Sequence, residues 1–110
     1  MIIDFDKRTE SVLPQFNGGI KEFRANIMQD ENNKMLRGKL EPGASIGLHT
    51  HENTSEIIYI LEGKGKVICD GEMERVEAGL CHYCPKGHAH SLINDSEEDL
   101  IFFAVIPVHE

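Results

Sequence analysis

Short apolar or alternating segments recur along the chain, separated by polar clusters that contain glycine or proline. Their β-branched and aromatic residues and their regular spacing are typical of strands, and no segment has the periodicity of an amphipathic helix. Asp70-Gly71 separates two of these segments and favours a tight hairpin turn. The pattern therefore predicts an all-β fold, either a sandwich or a barrel. The predicted strands span residues 23–28, 35–40, 45–51, 57–61, 66–69, 73–76, 80–84, 90–93 and 100–106.

Residues 1–20 form a less regular lead-in, which Leu13-Pro14 and Asn17-Gly18-Gly19 interrupt. The chain has 110 residues, a length that suits one domain with one hydrophobic core. We therefore expect a single domain over residues 1–110, in which the lead-in covers 1–20 and the main β-structure covers about 21–108.

The charge balance limits the classes of partner. The chain carries 11 basic and 19 acidic residues, a formal net charge of −8, which repels phosphate backbones and anionic lipids. The longest apolar run, residues 100–108, contains Pro107 and is too short to cross a bilayer. The N-terminal residues alternate apolar with charged side chains, unlike a signal peptide, and three cysteines do not form a disulfide framework. We expect a cytoplasmic protein that binds neither nucleic acid nor membrane.

Three histidines and one glutamate have the spacing of a metal site. On an extended strand His49 and His51 share a face and could chelate one ion. Glu56 has an odd offset from them, but the turn-prone residues 52–55 could bring its carboxylate back. His90 could join them only if the fold lays its strand against theirs, as a closed barrel does.

The segments that contain these residues resemble the two motifs of the cupin family. Residues 43–63 match G-x5-HxH-x4-E-x6-G, and residues 79–94 match G-x5-PxG-x2-H-x3-N, with every signature position occupied. The resemblance implies a double-stranded β-helix barrel rather than a sandwich. It also implies that a divalent transition metal is held by His49, His51, Glu56 and His90. The framework positions would be Gly43, Gly63, Gly79, Pro85, Gly87 and Asn94.

A site of three imidazoles and one carboxylate suits iron, manganese, nickel or zinc, and also cobalt or copper. Four protein ligands on a six-coordinate ion leave two positions for water, substrate or dioxygen. The resemblance implies a small metal-dependent enzyme of the dioxygenase or isomerase type that acts on an oxygen-rich small molecule. The alternative is a non-catalytic module that binds or senses a small molecule. An enzyme should direct a polar proton donor at the open positions of the metal, whereas a binding module needs only apolar walls there.

The candidates for such a proton donor are Tyr83, His82 and His88, although a structural role is the more common one for each. Cys81 and Cys84 form a Cys-x-x-Cys pair, a spacing associated with redox and zinc sites. On a strand they would point to opposite faces and could not chelate one ion. Either Cys81 and Tyr83 or His82 and Cys84 should face the interior, and the sequence leaves that choice open.

Other positions bear on ligand and partner. Lys86 lies within the Pro-x-Gly turn and could meet an anionic substrate or simply be exposed. Tyr59 should lie on the opposite face from Glu56, in packing or at an interface. Because exposed strand edges need cover, and small cupin barrels commonly pair with a second copy, we expect a homodimer.

Overall fold

A computed structural model describes residues 1–109, and this part of the chain contains strands and two short 3-10 helices but no α-helix. The all-β prediction is confirmed. The 3-10 helices are Phe5–Lys7 and Phe16–Gly18. The strands are β1 Glu10–Pro14, β2 Glu22–Gln29, β3 Asn33–Leu40, β4 His49–Thr50, β5 Glu56–Glu62, β6 Lys64–Cys69, β7 Glu72–Glu77, β8 Cys81–Cys84, β9 Ala89–Ile93 and β10 Leu100–Pro107.

The strands form two antiparallel sheets, and together they make the double-stranded β-helix barrel. One sheet has six strands in the order β1-β2-β3-β10-β5-β8, and the other has four in the order β4-β9-β6-β7. Strand β10 lies between β3 and β5 and pairs with both, so strands that are distant in the sequence are neighbours in the sheet. Both sheets contribute to one core, which contains Phe23 and Phe102 from the larger sheet and Val67 and Leu92 from the smaller.

Alternating burial along the strands produces this core. On β10 the residues Leu100, Phe102 and Ala104 are fully buried, while their neighbours are partly exposed. The ring of Phe102 stacks on that of Phe23, with centroids 5.8 Å apart and planes at 11°. A Cβ at Gly38 would lie 2.4 Å from the Phe102 ring. Glycine on β3 therefore makes the space that the aromatic pair occupies.

The lead-in is more ordered than its sequence predicts. Residues Glu10–Pro14 form β1, which pairs with β2 at the edge of the larger sheet. The strand predicted at 45–51 is shorter than expected, because only His49–Thr50 is a strand and Ser45 makes an isolated bridge to Ile93.

The reason for the shortened strand is a close contact between two loops. The backbone N–H of Gly47 donates to the carbonyl of Phe16 at 3.0 Å, so this segment bonds to the lead-in. A Cβ at Gly47 would lie 2.0 Å from the Asn17 carbonyl oxygen, so only glycine permits the approach. Within residues 1–109, no helix is long and apolar enough to cross a membrane.

Candidate metal centre and adjoining cavity

Four side chains direct their ligand atoms at one point inside the barrel. One atom each from His49, His51, Glu56 and His90 lies within 4.8 Å of all the others. The Nε2 atom of His51 lies 3.0 Å from Oε1 of Glu56 and 3.0 Å from Nε2 of His90. The Nε2 atom of His90 lies 2.8 Å from Oε1 of Glu56 and 3.1 Å from Nε2 of His49. The longest of these separations, His49 to Glu56, is 3.8 Å.

The strand arrangement explains how distant residues meet. Strands β4 and β9 pair so that His49 lies directly opposite His90. His51 follows β4, and its backbone N–H donates to the carbonyl of His88 at 3.0 Å. A bend then follows, and Glu56 begins β5 with its side chain buried. The turn expected between His51 and Glu56 thus returns the carboxylate to the histidines.

The separations fit one ion. Two atoms that bind an ion at about 2.1 Å and at right angles lie about 3.0 Å apart. Four of the five separations above, from 2.8 to 3.1 Å, match that spacing. Imidazole nitrogens with a carboxylate are a donor set that divalent transition metals accept. These residues therefore fit the metal that the sequence motifs imply.

Hydrogen bonds to the Nδ1 atoms of His49 and His51 orient these two rings so that their Nε2 atoms face the cluster. The Nδ1–H of His49 donates to the Gly47 carbonyl at 2.8 Å. Since a carbonyl oxygen only accepts, Nε2 of His49 carries the free lone pair that faces the cluster. Nδ1 of His51 lies 2.7 Å from the Thr54 hydroxyl, which fixes the orientation of that ring. Such outer partners are typical of metal-binding histidines.

His90 is oriented by a chain of hydrogen bonds that runs through His82 to Glu74. Oε1 of Glu74 accepts from Nδ1–H of His82 at 2.9 Å, and Nε2 of His82 then accepts from Nδ1–H of His90 at 3.0 Å. The chain of bonds leaves Nε2 of His90 unprotonated and aimed at the cluster. Burial lowers the pKa of His82, and a proton on His90 would lower it further, which favours the neutral form that accepts this bond. His82 is therefore a positioning residue for His90.

We expect His82→Gln to weaken metal binding about 10- to 100-fold, since loss of an outer hydrogen-bond partner has effects of that size. Glu74→Gln should weaken it in the same direction. The measurement is a competition titration of the metal against a chelator of known affinity. Glu72→Gln is the matched control, because it removes an exposed carboxylate from the same strand without touching His82. Equal affinities for all three variants would show that the relay does not position His90.

The cluster is electrostatically prepared for a cation. Burial raises the pKa of Glu56, but the imidazoles of His49, His51 and His90, which would donate to its carboxylate when protonated, outweigh burial and hold that pKa well below its ordinary value. Burial lowers the pKa of His49, yet the Glu56 carboxylate and the Gly47 carbonyl more than compensate, so it lies above its ordinary value. Glu56 is therefore ionised at neutral pH and attracts positive charge to the cluster.

A cavity of about 290 Å³ adjoins the cluster, and His49, His51 and Glu56 line it. Most of the remaining wall is apolar. The apolar lining includes Phe16, Phe23, Leu36, Ile46, Phe102 and Ile106. Polar groups from Asn17, Gln29, Asp30, Asn33, Lys34 and Thr54 complete it. A ligand bound to an ion at the cluster would extend into this space.

Lys34 supplies positive charge to the cavity, and within the described chain no other lysine or arginine lines it. Its ammonium lies 5.9 Å from the centroid of the Phe16 ring, a cation–π distance. Its charge also lowers the pKa of His49, although less than burial does. Lys34 was not among the site residues predicted from the sequence. The sequence does contain a feature that predicts its position. Lys34 lies two residues before Leu36, which faces inward, and residues two apart on a strand such as β3 lie on the same face.

None of the three candidate proton donors lines the cavity. His82 lies behind His90, as described above. Tyr83 is exposed on the outer face of β8. His88 is exposed and contacts the Asp70 carboxylate. Lys86 is likewise exposed and outside the cavity, so it does not meet a ligand there.

The open choice on β8 is resolved, because His82 and Cys84 are buried and Cys81 and Tyr83 are exposed. Cys81 and Cys84 thus point to opposite faces, as expected, and do not form a joint site. Burial, with a further contribution from the neighbouring thiol of Cys69, raises the pKa of Cys84 to about 12. Cys84 therefore remains a protonated thiol at neutral pH.

Comparisons with known proteins agree with this geometry. Residues 36–106 match the family described as Cupin domain. The oxalate-binding protein of Thermotoga maritima is 36% identical over 112 residues, which cover 96% of this chain and 93% of that protein. An uncharacterized protein of Methanocaldococcus jannaschii is 32% identical over 69 residues, 63% of this chain and 55% of its own.

Solved structures show the same fold. The crystal structure of a predicted oxalate decarboxylase from Thermotoga maritima has a TM-score of 0.92 at 32% identity, covering 98% of this chain and 99% of that one. A sugar phosphate isomerase of the cupin superfamily from Silicibacter pomeroyi has a TM-score of 0.80 at 19% identity, covering 97% and 75%. At that identity the likeness concerns the fold alone. The family match, the curated relative and the motif residues lead to one conclusion: this chain belongs to the cupin family.

Proposed function

We propose that this cupin holds one divalent transition metal ion through His49, His51, Glu56 and His90, and binds a small chelating carboxylate on that ion. The observation that carries the proposal is the convergence of four buried or half-buried ligand atoms within 4.8 Å at the wall of a cavity. The ion, when bound, supplies a Lewis acid and open positions for oxygen ligands. The residues supply its binding, its orientation and an environment largely protected from water.

The relatives support the chemical class of the ligand. The Thermotoga maritima relative described above is named an oxalate-binding protein, and the Thermotoga maritima structure is that of a predicted oxalate decarboxylase. Oxalate is a bidentate ligand, and two of its oxygen atoms could fill two adjacent open positions on an ion. The ammonium of Lys34 in the cavity favours an anion, whereas the protein as a whole is strongly acidic.

Binding without turnover is the function that the cavity favours. Of the groups proposed as proton donors, His82, Tyr83 and His88 all lie outside the cavity lining. The second candidate is a metal-dependent enzyme, an oxidoreductase or an isomerase. Lys34 favours it, because its ammonium is a proton donor that lines the same cavity as His49.

The test is a calorimetric titration of oxalate into protein loaded with one equivalent of manganese, iron, nickel or zinc, and into metal-free protein. We expect saturable binding to a loaded form and none to the metal-free form. Metal content is measured again after the titration, because free oxalate also chelates the ion. Product analysis on the same samples separates binding from turnover. Equal heats with and without metal would contradict the proposal.

Metal binding should weaken as the pH falls. A histidine binds metal in its neutral form, and its ordinary pKa is about 6.5. The pKa of His49 is raised, so protons compete with the metal at that ring at a higher pH than usual. The pKa of Glu56 is well below its ordinary value, so its carboxylate stays ionised throughout. We expect dialysis below about pH 5.5 to release the metal; a metal content unchanged at pH 5 would count against the site.

We also propose that the chain forms a homodimer through an outer apolar patch, defined as Ile57, Tyr59, Tyr83, Phe103 and Val105. Strand pairing places these residues side by side on the outer face of β5, β8 and β10. Ile57, Tyr59 and Tyr83 are exposed, an arrangement typical of surfaces that pair. The strand β10 is not an edge, since it lies between β3 and β5, so this sheet face and not a β10 edge supports the proposal.

Light scattering at micromolar concentration should give twice the 12.4 kDa mass of the chain. Tyr59→Glu, in the middle of the outer apolar patch, should give the monomer mass. Met73→Glu is the matched control, since Met73 is an exposed apolar residue on the other sheet. A monomeric wild-type protein would rule the dimer out.

A further inference from the structure

The cavity is larger and more apolar than oxalate requires. Oxalate consists of two joined carboxylates and has no apolar part, whereas the cavity measures about 290 Å³ and its wall is mostly hydrocarbon. Pockets for drug-sized ligands begin at about 300 Å³. We propose that the ligand is a 2-oxo- or 2-hydroxycarboxylate with an apolar side chain. This inference rests on the proposed metal-dependent binding of a carboxylate.

The head group of such an acid suits the metal ligands and the lysine that line the cavity. A 2-oxo- or 2-hydroxycarboxylate offers two adjacent oxygen atoms, which are the atoms that oxalate would also present to an ion. Its single negative charge has one cationic partner in the cavity, Lys34. In the described chain no carboxylate lies within ion-pair distance of that ammonium, so it is free to meet an anion.

The side chain of the acid would occupy the apolar part. Leu36, Ile46 and Phe102 are buried and line the cavity beyond the metal ligands. Ile106 lies opposite Lys34 in the pairing of β10 with β3, and both residues line the cavity, so an apolar residue neighbours the lysine on the same face of the sheet. A carboxylate held near Lys34 would therefore carry its side chain along hydrocarbon.

The same wall argues against a sugar or sugar phosphate. The hydroxyls of a sugar need hydrogen-bond partners when water is removed, and although six polar residues line the cavity, the apolar side chains that make up most of its wall offer none. A phosphate dianion usually has several charged donors, and here the cavity has one lysine. A carboxylate with an apolar side chain has one negative charge for the single lysine and hydrocarbon for the apolar lining.

The test compares two acids with the same head group. Manganese-loaded protein is titrated with 4-methyl-2-oxopentanoate and with pyruvate, which differ only in the apolar tail. We expect the tailed acid to bind roughly 10- to 100-fold more tightly, the gain that burial of a leucine-sized side chain provides. Ile106→Asn should remove most of that preference.

Lys34→Gln should weaken both acids about equally, and Lys86→Gln, which alters an exposed lysine outside the cavity, should change neither. Equal affinity for the two acids would overturn the inference. If oxalate still bound to the loaded protein in that case, the proposed function would stand. If the loaded protein bound neither oxalate nor any of these acids, both proposals would fail together.

Discussion

Replacing His90 with alanine is expected to abolish stoichiometric metal binding. His90 lies within 3.1 Å of ligand atoms from all three other residues of the cluster, and it is almost completely buried. Its loss removes one of four ligands and also the end of the relay from Glu74 and His82. Since loss of an outer partner alone costs about 10- to 100-fold, the loss of this ligand should exceed 100-fold. Elemental analysis after desalting measures it directly.

His88→Ala is the matched control for that experiment. His88 lies two residues from His90 but is exposed and contacts Asp70, not the cluster. The control should retain the metal content of the wild-type protein. Circular dichroism of both variants shows whether the barrel remains folded. A His90→Ala protein that keeps a full equivalent of metal would refute the assignment of the ligands.

The second large effect concerns the core. Phe102→Ala should lower the free energy of unfolding by about 3–5 kcal/mol, the usual result of truncating a buried phenylalanine. Phe102 is completely buried and stacks on Phe23, and Gly38 leaves room for it, so the surrounding chain cannot easily fill the space. Against a typical total of about 5–15 kcal/mol, such a loss is severe. Urea denaturation followed by circular dichroism measures it.

Phe103→Ala provides the control on the same strand. Its side chain points to the other face of β10, is partly exposed and packs edge-on against Phe5 with centroids 5.2 Å apart. Because Phe103 also belongs to the outer apolar patch, both variants are compared in the Tyr59→Glu background, where we expect Phe103→Ala to cost about 1 kcal/mol, near the average for a point mutation. Similar losses for the two variants would mean that the core does not depend on the Phe102 position as described.

The strands and part of the ligand set could be predicted from the sequence because both follow local rules. The β-branched and aromatic run of β10 and the Asp70-Gly71 turn indicate a strand and a hairpin without any tertiary information. The shared face of His49 and His51 follows from strand geometry alone. The approach of His90 required the cupin resemblance, since only the pairing of β4 with β9 brings it to His49.

Other parts of the site depend on facts that no local pattern contains. The relay needs Glu74 on β7 and His82 on β8 to meet, although these strands belong to different sheets. The lead-in loop forms a cavity wall at Phe16 only because Gly47 lets two backbones approach closely. His82 and Cys84 are the buried residues of β8, but the sequence pattern did not indicate which of the two faces of that strand would be buried. The cytoplasmic location stays a prediction of the sequence.

The most direct test is an anomalous difference map from crystals of the wild-type protein grown with manganese. One strong peak is expected, bonded to Nε2 of His49, His51 and His90 and to the carboxylate of Glu56, at distances of about 2.0–2.2 Å. Such a peak would also show which coordination positions face the cavity. A map without density there, or with manganese only at surface carboxylates, would contradict the metal centre on which the proposed function depends.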